Sequence, residues 1–264
     1  GVEVEAYDPM IGKDIKNLIR KNTTLIWCES PGSVTMEIQD IPEIVKVAHQ
    51  KNVPVALDNT YAAGVLFDAF KFNVDISIQA LTKYVGGHSD LLLGSVSVRD
   101  ENAYKTVGPI YMQLGLAVSP DDCSLALRGL QTLALRLDQL EKSTLEVALW
   151  LSKNDMIDEV YHPALDTCPG HDIWKRDFTG SASVFSFTFI ETISSKEVQE
   201  FINSLNIFKI GLSWGGVTSL AVVYPDLDRP NKDFGGRLVR LNIGLEAVND
   251  LINDLDEAIS TIRL

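Results

Sequence analysis

Residues 77–90 of the chain read SIQALTKYVGGHSD. One lysine, Lys83, stands here between an apolar run that predicts a strand and a turn that contains Gly86 and Gly87. An amine at the end of a buried strand is poorly hydrated, so we expect the pKa of Lys83 to fall and its amine to be able to form a Schiff base. The alternative is an ordinary solvated lysine in a surface loop, which is the usual environment of a lysine.

Short apolar runs alternate with helical patterns on both sides of Lys83, and this alternation predicts an α/β fold with a mostly parallel sheet. The predicted strands are residues 1–7, 23–28, 53–57, 75–79 and 91–98. A short helix is predicted at residues 14–21, and a better defined one begins after Asp40, has Pro42 at its start and runs to Gln50. The strands are expected to present their carboxyl ends to one edge of the sheet, where open α/β sheets bind their ligands.

The second half of the chain has a different pattern. Ser119 is expected to cap a long helical region that reaches residue 153, with leucines at positions 130, 133, 137 and 140. Strands are predicted at residues 183–190 and 238–243, and an amphipathic helix at 247–262. We therefore predict a large domain over residues 1–135 and a smaller α+β domain over residues 136–264, linked by the long helix. The polar loop at 226–233 is assigned no chemistry.

Composition excludes several classes of function. A formal net charge of −13 and a pI near 4.7 argue against a nucleic-acid partner, which would need clustered lysine and arginine. Cys28, Cys123 and Cys168 are odd in number and lack metal-ligand spacing, so neither disulfides nor a zinc site is indicated. The sequence shows no signal peptide and no apolar run long enough for a bilayer, so we expect a cytoplasmic protein with no membrane partner.

Two residues with complementary chemistry follow successive predicted strands. Asp58 comes directly after residues 53–57, and Lys83 follows the next strand about 25 residues later. A carboxylate and an amine on neighbouring strand ends suit pyridoxal 5′-phosphate (PLP), whose aldehyde condenses with a lysine and whose pyridine nitrogen is kept protonated by an aspartate. The alternative for Asp58 is a strand-end cap. A nucleotide-binding domain would also place ligands here, but the sequence has neither G-x-G-x-x-G nor a Walker loop.

Several motifs occur in an order that resembles a known family. They are ESPGSVTME at residues 29–37, LDNTY at 57–61, QALTKY at 79–84 with GHSD at 87–90, SWGG at 213–216 and VRLNIGLE at 239–246. On these motifs the chain resembles the Cys/Met metabolism PLP-dependent enzymes of fold type I over nearly its whole length, and within that family its β-lyase branch. The resemblance implies a PLP-dependent transferase-like fold.

The resemblance also implies the residues that bind the cofactor. Lys83 would bond covalently to PLP and act as the catalytic base, and Asp58 would partner the pyridine nitrogen. Thr82 would contact the cofactor phosphate. Many relatives have a second phosphate-binding hydroxyl three residues before the lysine, where this chain has Ala80, as β-lyase-like members do.

For the substrate, the resemblance implies that Arg240 grips the α-carboxylate with its planar guanidinium. Ser213 and Trp214 would border the same pocket. Ser33-Val34 and Trp214 stand where γ-lyase and γ-synthase relatives usually carry Asn-Pro and leucine, which favours the β-lyase. Taken alone, Arg240 would more often pair with an acidic neighbour such as Glu246.

The implied reaction is β-elimination of L-cystathionine to homocysteine, pyruvate and ammonia, in a homotetramer built from dimers. The alternatives are a cystathionine γ-synthase, γ-lyase or methionine γ-lyase activity, or a non-catalytic α/β module. Family members also carry an N-terminal segment that supplies a phosphate-binding helix start and a tyrosine stacked on the ring, and these 264 residues show no counterpart. We therefore expect this chain alone, as a truncated form, to bind PLP weakly and to turn over little or nothing, so that an inactive truncated fragment is a further alternative.

Overall fold

A four-stranded sheet forms the first half of the computed structural model, which describes residues 1–227, 229 and 232–262. Its strands are β1 (Ile26–Glu29), β2 (Val55–Asp58), β3 (Ile76–Ala80) and β4 (Gly94–Val98), and they lie in that order. β1, β2 and β3 are parallel, and β4 runs antiparallel to β3. This arrangement confirms the predicted α/β class and its mostly parallel sheet.

One helix connects β1 to β2 and buries its apolar face against the sheet. α1 covers Ile41–His49, and the carboxylate of Asp40 caps it by accepting a hydrogen bond from the backbone N–H of Glu43 at 3.3 Å. The predicted start and end of this helix are confirmed. Because β1, β2 and β3 run the same way, their carboxyl ends meet at one edge of the sheet, and the residues at that edge include Glu29 and Asp58.

A second sheet forms the other half. Its strands are β5 (Ile157–Tyr161), β6 (Val184–Phe189), β7 (Lys209–Ile210), β8 (Leu220–Tyr224) and β9 (Leu238–Asn242), in the order β5-β6-β9-β8-β7. All pairings except β7 with β8 are antiparallel. The strands predicted at 183–190 and 238–243 are confirmed as β6 and β9. The proposed domain boundary between residues 135 and 136 stays a prediction.

The long predicted helical region is two helices. α3 covers Pro120–Leu130 and α4 covers Leu133–Leu151, so the chain bends at residues 131–132. Ser119 caps α3 as predicted, because its hydroxyl accepts a hydrogen bond from the N–H of Asp122 at 3.0 Å. The bend lets Arg136, in the first turn of α4, donate back to the carbonyl of Gly129 at 2.8 Å.

The remaining helices differ in how far the sequence predicted them. α2 covers Glu101–Gln113 and was not predicted, because it buries no residue and contains Gly108-Pro109. α5 (His171–Asp177) packs on the first half of the chain, where Arg176 pairs with Asp40, and α6 (Ser195–Ser204) contacts β8 of the second sheet. α7 (Val248–Thr261) matches the predicted C-terminal helix. In the described part of the chain, no helix has both the length and the apolar character needed to cross a membrane.

The prediction of a strand at residues 1–7 is wrong. Val2 and Val4 are 86% and 87% exposed, and no described strand pairs with this segment. The alternation of valine and glutamate resembles that of a half-buried strand, but these valines have no apolar surface to cover. The helix predicted at residues 14–21 is a short 3-10 helix over Gly12–Asn17, and the strand predicted from residue 91 begins at Gly94.

Candidate active site

Four residues of the predicted site line one cavity at the carboxyl edge of the first sheet. They are Asp58 from the end of β2, Lys83 from the turn after β3, Trp214 from the loop after β7 and Arg240 from β9. Both sheets therefore contribute to the cavity. The structure brings together residues up to 182 positions apart, the separation of Asp58 and Arg240.

Lys83 is held in a hydrogen-bonded turn, and its amine points across the cavity. Its N–H donates to the carbonyl of Ala80 at 3.1 Å, and its carbonyl accepts from the N–H of Gly87 at 2.7 Å. The Nζ atom donates to the Oγ of Ser213 at 2.9 Å and lies 5.1 Å from the centre of the Trp214 ring. Burial lowers the pKa of the Lys83 amine, and the positive charge of Arg240 lowers it further.

Asp58 is both a strand-end cap and a residue of the cavity. Its Oδ1 atom accepts a hydrogen bond from the N–H of Thr60 at 3.0 Å, which is the capping role that the sequence left open. The carboxylate also faces the cavity. Because β2 and β3 are parallel neighbours, Asp58 and Lys83 lie on adjacent strand ends, as their spacing predicted.

Thr82 has a local partner. Its hydroxyl accepts from the N–H of Leu93 at 3.1 Å and donates to the carbonyl of Leu93 at 3.2 Å. These bonds tie the segment before β4 to the turn that carries the lysine, and contact of Thr82 with a phosphate stays a prediction. Ala80, which also lines the cavity, offers a methyl group where many relatives were expected to have a hydroxyl.

Arg240 is 6% exposed, and its guanidinium supports the loop that carries Ser213 and Trp214. It donates to the carbonyl of Leu212 at 2.5 Å and lies 5.5 Å from the centre of the Tyr224 ring. Burial lowers its pKa. The alternative pairing with Glu246 is wrong, because that carboxylate accepts hydrogen bonds from the backbone and hydroxyl of Ser219, each at 2.8 Å.

A buried hydrogen-bond network links the lysine turn to this loop. The hydroxyl of Tyr84 lies 3.0 Å from the Oγ of Ser183, which donates to the Oδ1 of Asn242 at 2.8 Å. The same Oδ1 accepts from the N–H of Gly215 at 2.8 Å. Burial raises the pKa of Tyr84, so this phenol stays protonated and orients its neighbours.

Tyr61 and His88 also have structural partners. The hydroxyl of Tyr61 accepts from the N–H of Ala182 at 3.0 Å, and burial raises its pKa. The Nδ1 atom of His88 lies 2.7 Å from the carbonyl of Gly86. Both side chains are therefore engaged in local structure.

Sequence analysis did not identify two charged residues that lie near the cavity. Glu29 ends β1 and lines the cavity, and its strand-end position, like that of Asp58, was the signal that could have identified it. Arg229 lies in the loop that was assigned no chemistry, where its guanidinium donates to the carbonyl of Ser33 at 2.8 Å and to the Oγ1 of Thr35 at 3.2 Å. Asp228, Pro230 and Asn231 of that loop lie outside the described residues.

Comparison with known proteins gives a consistent result. The family model described as Cys/Met metabolism PLP-dependent enzyme matches residues 1–260. The chain is 41% identical over 262 residues to the cystathionine β-lyase of Haemophilus influenzae, which covers 96% of this chain and 66% of that protein. It is 42% identical over 271 residues to the cystathionine β-lyase of Escherichia coli, covering 99% and 68% respectively.

A solved structure confirms the predicted fold class. The crystal structure of cystathionine γ-synthase from Xanthomonas oryzae, in complex with aminoacrylate and cysteine, superposes with a TM-score of 0.85 at 30% identity. The match covers 91% of this chain and 64% of that one. The chain thus spans about two thirds of the length of the relatives that it matches.

Proposed function

This chain belongs to the Cys/Met metabolism PLP-dependent enzyme family, and from that premise we propose that it acts as a carbon–sulfur lyase, which cleaves L-cystathionine by β-elimination to homocysteine, pyruvate and ammonia. One observation carries the proposal. The partly buried amine of Lys83 shares a cavity with a carboxylate on the neighbouring strand end and with the guanidinium of Arg240. The cystathionine β-lyases of two bacteria support the choice of reaction.

The residues of the cavity fit PLP at its ring and aldehyde end. Bound PLP supplies an aldehyde for a lysine amine and a ring that withdraws electrons from the substrate Cα. Lys83 would hold it covalently, since the lowered pKa of this amine leaves more of it neutral and nucleophilic. Asp58 would hold the pyridine nitrogen protonated from the adjacent strand end.

The residues of the chain then have distinct tasks. With PLP bound, the amine of Lys83 would remove the Cα proton as a general base, for which a pKa close to the working pH is most effective. Arg240 binds the α-carboxylate, and Ser213 orients the lysine through the hydrogen bond at 2.9 Å. Trp214 covers the amine and limits access of water to it.

The γ-elimination and γ-replacement activities are the main alternative, because the solved structure that was compared above is that of a cystathionine γ-synthase. Ser33-Val34 and Trp214 line the cavity at the positions that favour the β-lyase. Product identity separates the two. Loss of the β-thiolate from cystathionine yields pyruvate and homocysteine, whereas γ-elimination yields 2-oxobutyrate and cysteine.

The test uses the chain with PLP and L-cystathionine, with protein in excess of substrate so that slow turnover is still measured. We expect pyruvate as the keto acid, and a loss of about 10³-fold or more in Lys83→Ala, the range of a general base. Lys142→Ala, which changes an exposed lysine paired with Asp138, serves as the matched control. Full turnover in Lys83→Ala, or 2-oxobutyrate as the keto acid, would contradict the proposal.

The family also suggests a homotetramer built from dimers and a cytoplasmic location. The three cysteines, Cys28, Cys123 and Cys168, are all free, which agrees with a reducing compartment. Light scattering after size-exclusion chromatography measures the oligomeric state, and a monomer at micromolar concentration would contradict the assembly.

A further inference from the structure

Glu29 is a cavity residue without a role in the reaction described above. It is the last residue of β1, and it is the register partner of Asp58, the last residue of β2. Residues in register on neighbouring parallel strands project to the same side of a sheet, about 5 Å apart. Both carboxyl groups therefore face the cavity that also contains Lys83 and Arg240.

Two nearby ionised carboxylates in a partly buried site repel each other, and such pairs bind a proton that separated carboxylates would release. Burial raises the pKa of Glu29 to about 7, the negative charge of Asp58 raises it, and the positive charge of Arg229 lowers it. Glu29 therefore keeps its proton to higher pH than an exposed glutamate does.

Arg229 reaches this pair from the opposite half of the chain. Its guanidinium donates to the carbonyl of Ser33 and the hydroxyl of Thr35, in the segment that follows β1. These two bonds fix the guanidinium beside the wall of the cavity that begins at Glu29. The positive charge that acts on Glu29 is thus held by backbone and hydroxyl contacts that do not depend on the protonation of Glu29.

We propose that Glu29 and Asp58 act as a coupled carboxyl pair at this edge of the cavity, in which the negative charge of Asp58 favours a protonated Glu29, with Arg229 as the counter-charge. Glu29 is then a positioning residue, because the ionisation of Glu29 sets the total negative charge that the two carboxyl groups present to the cavity. Among the described residues that line the cavity, the other charged or titratable side chains are Lys83, Arg240 and Tyr61.

The consequence for a bound ring rests on the proposed function, whereas the coupling of the two carboxyls does not. A protonated pyridine nitrogen at Asp58 would favour the ionised form of Glu29, so binding would release a proton near pH 7. The pair would therefore make binding of the ring tighter as the pH rises through this range.

Carbon-13 NMR of the chain labelled at the glutamate side-chain carboxyl tests the pair directly, without cofactor. We expect one resonance to titrate near pH 7 and to be absent in Glu29→Gln, while Glu146→Gln, at an exposed position, leaves it unchanged. Asp58→Asn should move its midpoint to lower pH and Arg229→Gln to higher pH. These opposite shifts decide the question even if Glu29→Gln fails to fold.

Two results would overturn the proposal: every glutamate carboxyl titrating in the ordinary acidic range, or a midpoint that Asp58→Asn leaves in place. Calorimetry with pyridoxamine 5′-phosphate, which has no aldehyde for Lys83, in two buffers of different ionisation enthalpy then counts protons released on binding. Release in the unaltered chain and less in Glu29→Gln would support the effect on the ring. Equal proton counts in the unaltered chain and in Glu29→Gln would refute the effect on the ring. The existence of the carboxyl pair would then be decided by the NMR titration alone.

Discussion

The amine of Lys83 donates a hydrogen bond to the hydroxyl of Ser213 across 130 residues of sequence, at 2.9 Å. This contact joins the turn after β3 to the loop after β7, and so joins the two sheets at the cavity. Ser213 itself lies beside Leu212, whose carbonyl accepts from Arg240. The lysine, its hydroxyl partner and the guanidinium therefore form one connected unit.

Arg240 should control the ionisation of Lys83. Burial is the larger cause of the lowered pKa of Lys83, and the charge of Arg240 is the second. Arg240→Gln removes that charge, so the pKa of Lys83 should rise and its reaction with PLP should shift to higher pH, whereas Arg240→Lys should keep most of the effect. The measurement is the pH midpoint of adduct formation. Arg20→Gln, at an exposed ion pair, is the control, and a midpoint that does not move in Arg240→Gln would contradict the account.

Gly215 is a position where the turn geometry requires glycine. Its φ is +81°, and an added Cβ would lie 3.0 Å from the N atom of Tyr84 and 3.1 Å from the C atom of Lys83. We expect Gly215→Ala to lower the free energy of unfolding by about 1–3 kcal/mol and to slow adduct formation at Lys83. Gly115→Ala is the matched control, since φ is +63° there and an added Cβ meets nothing within 4 Å. Equal losses of unfolding free energy in both variants would show that the close approach of Gly215 to Tyr84 and Lys83 plays no part.

The hydroxyl of Tyr84 should matter for stability. It accepts from the N–H of Ser183 at 2.9 Å inside the protein, so Tyr84→Phe leaves a buried donor without its partner. The expected loss in urea-induced unfolding is about 1–3 kcal/mol. Tyr104→Phe, at a residue that is 63% exposed, should change the free energy by less than about 0.5 kcal/mol. A loss in Tyr84→Phe no larger than in this control would argue against the network.

His162 should make the protein sensitive to acid. Burial lowers its pKa to about 3, so the unfolded chain binds a proton at this histidine below about pH 6.5 while the folded protein does not. Stability is therefore present above the unfolded pKa and is lost as the pH falls, by about 2 kcal/mol between pH 7 and pH 5. Unfolding of His162→Asn should show a smaller pH dependence by that amount. The same slope in both proteins would contradict a buried neutral histidine.

Local sequence patterns were sufficient to predict those helices and strands whose buried residues form a regular pattern along the chain. α1 was predicted because Asp40 and Pro42 mark its start and its apolar face is regular. β6 and β9 were predicted as short strands in which apolar residues predominate. Residues 1–7 show the opposite case, because an alternating pattern predicts a strand only where another strand can pair with it.

The same reasoning explains which site residues were found. Asp58 and Lys83 were identified because each follows a predicted strand, and strand ends in a parallel sheet meet at one edge. Arg229 was missed because nothing in its neighbourhood in the sequence signals a contact with Ser33, 196 residues away. Such contacts depend on how the two sheets pack, which no local pattern encodes.

Trapping with borohydride tests the central claim, that Lys83 is the amine which bonds to PLP. The chain is incubated with PLP at substoichiometric concentration, reduced, digested and analysed by peptide mass spectrometry, with Lys83→Arg alongside. We expect the PLP adduct on the peptide that contains Lys83, and we expect that adduct to be absent in Lys83→Arg. An adduct spread over exposed lysines such as Lys71 and Lys142, with the Lys83 peptide unlabelled, would contradict it.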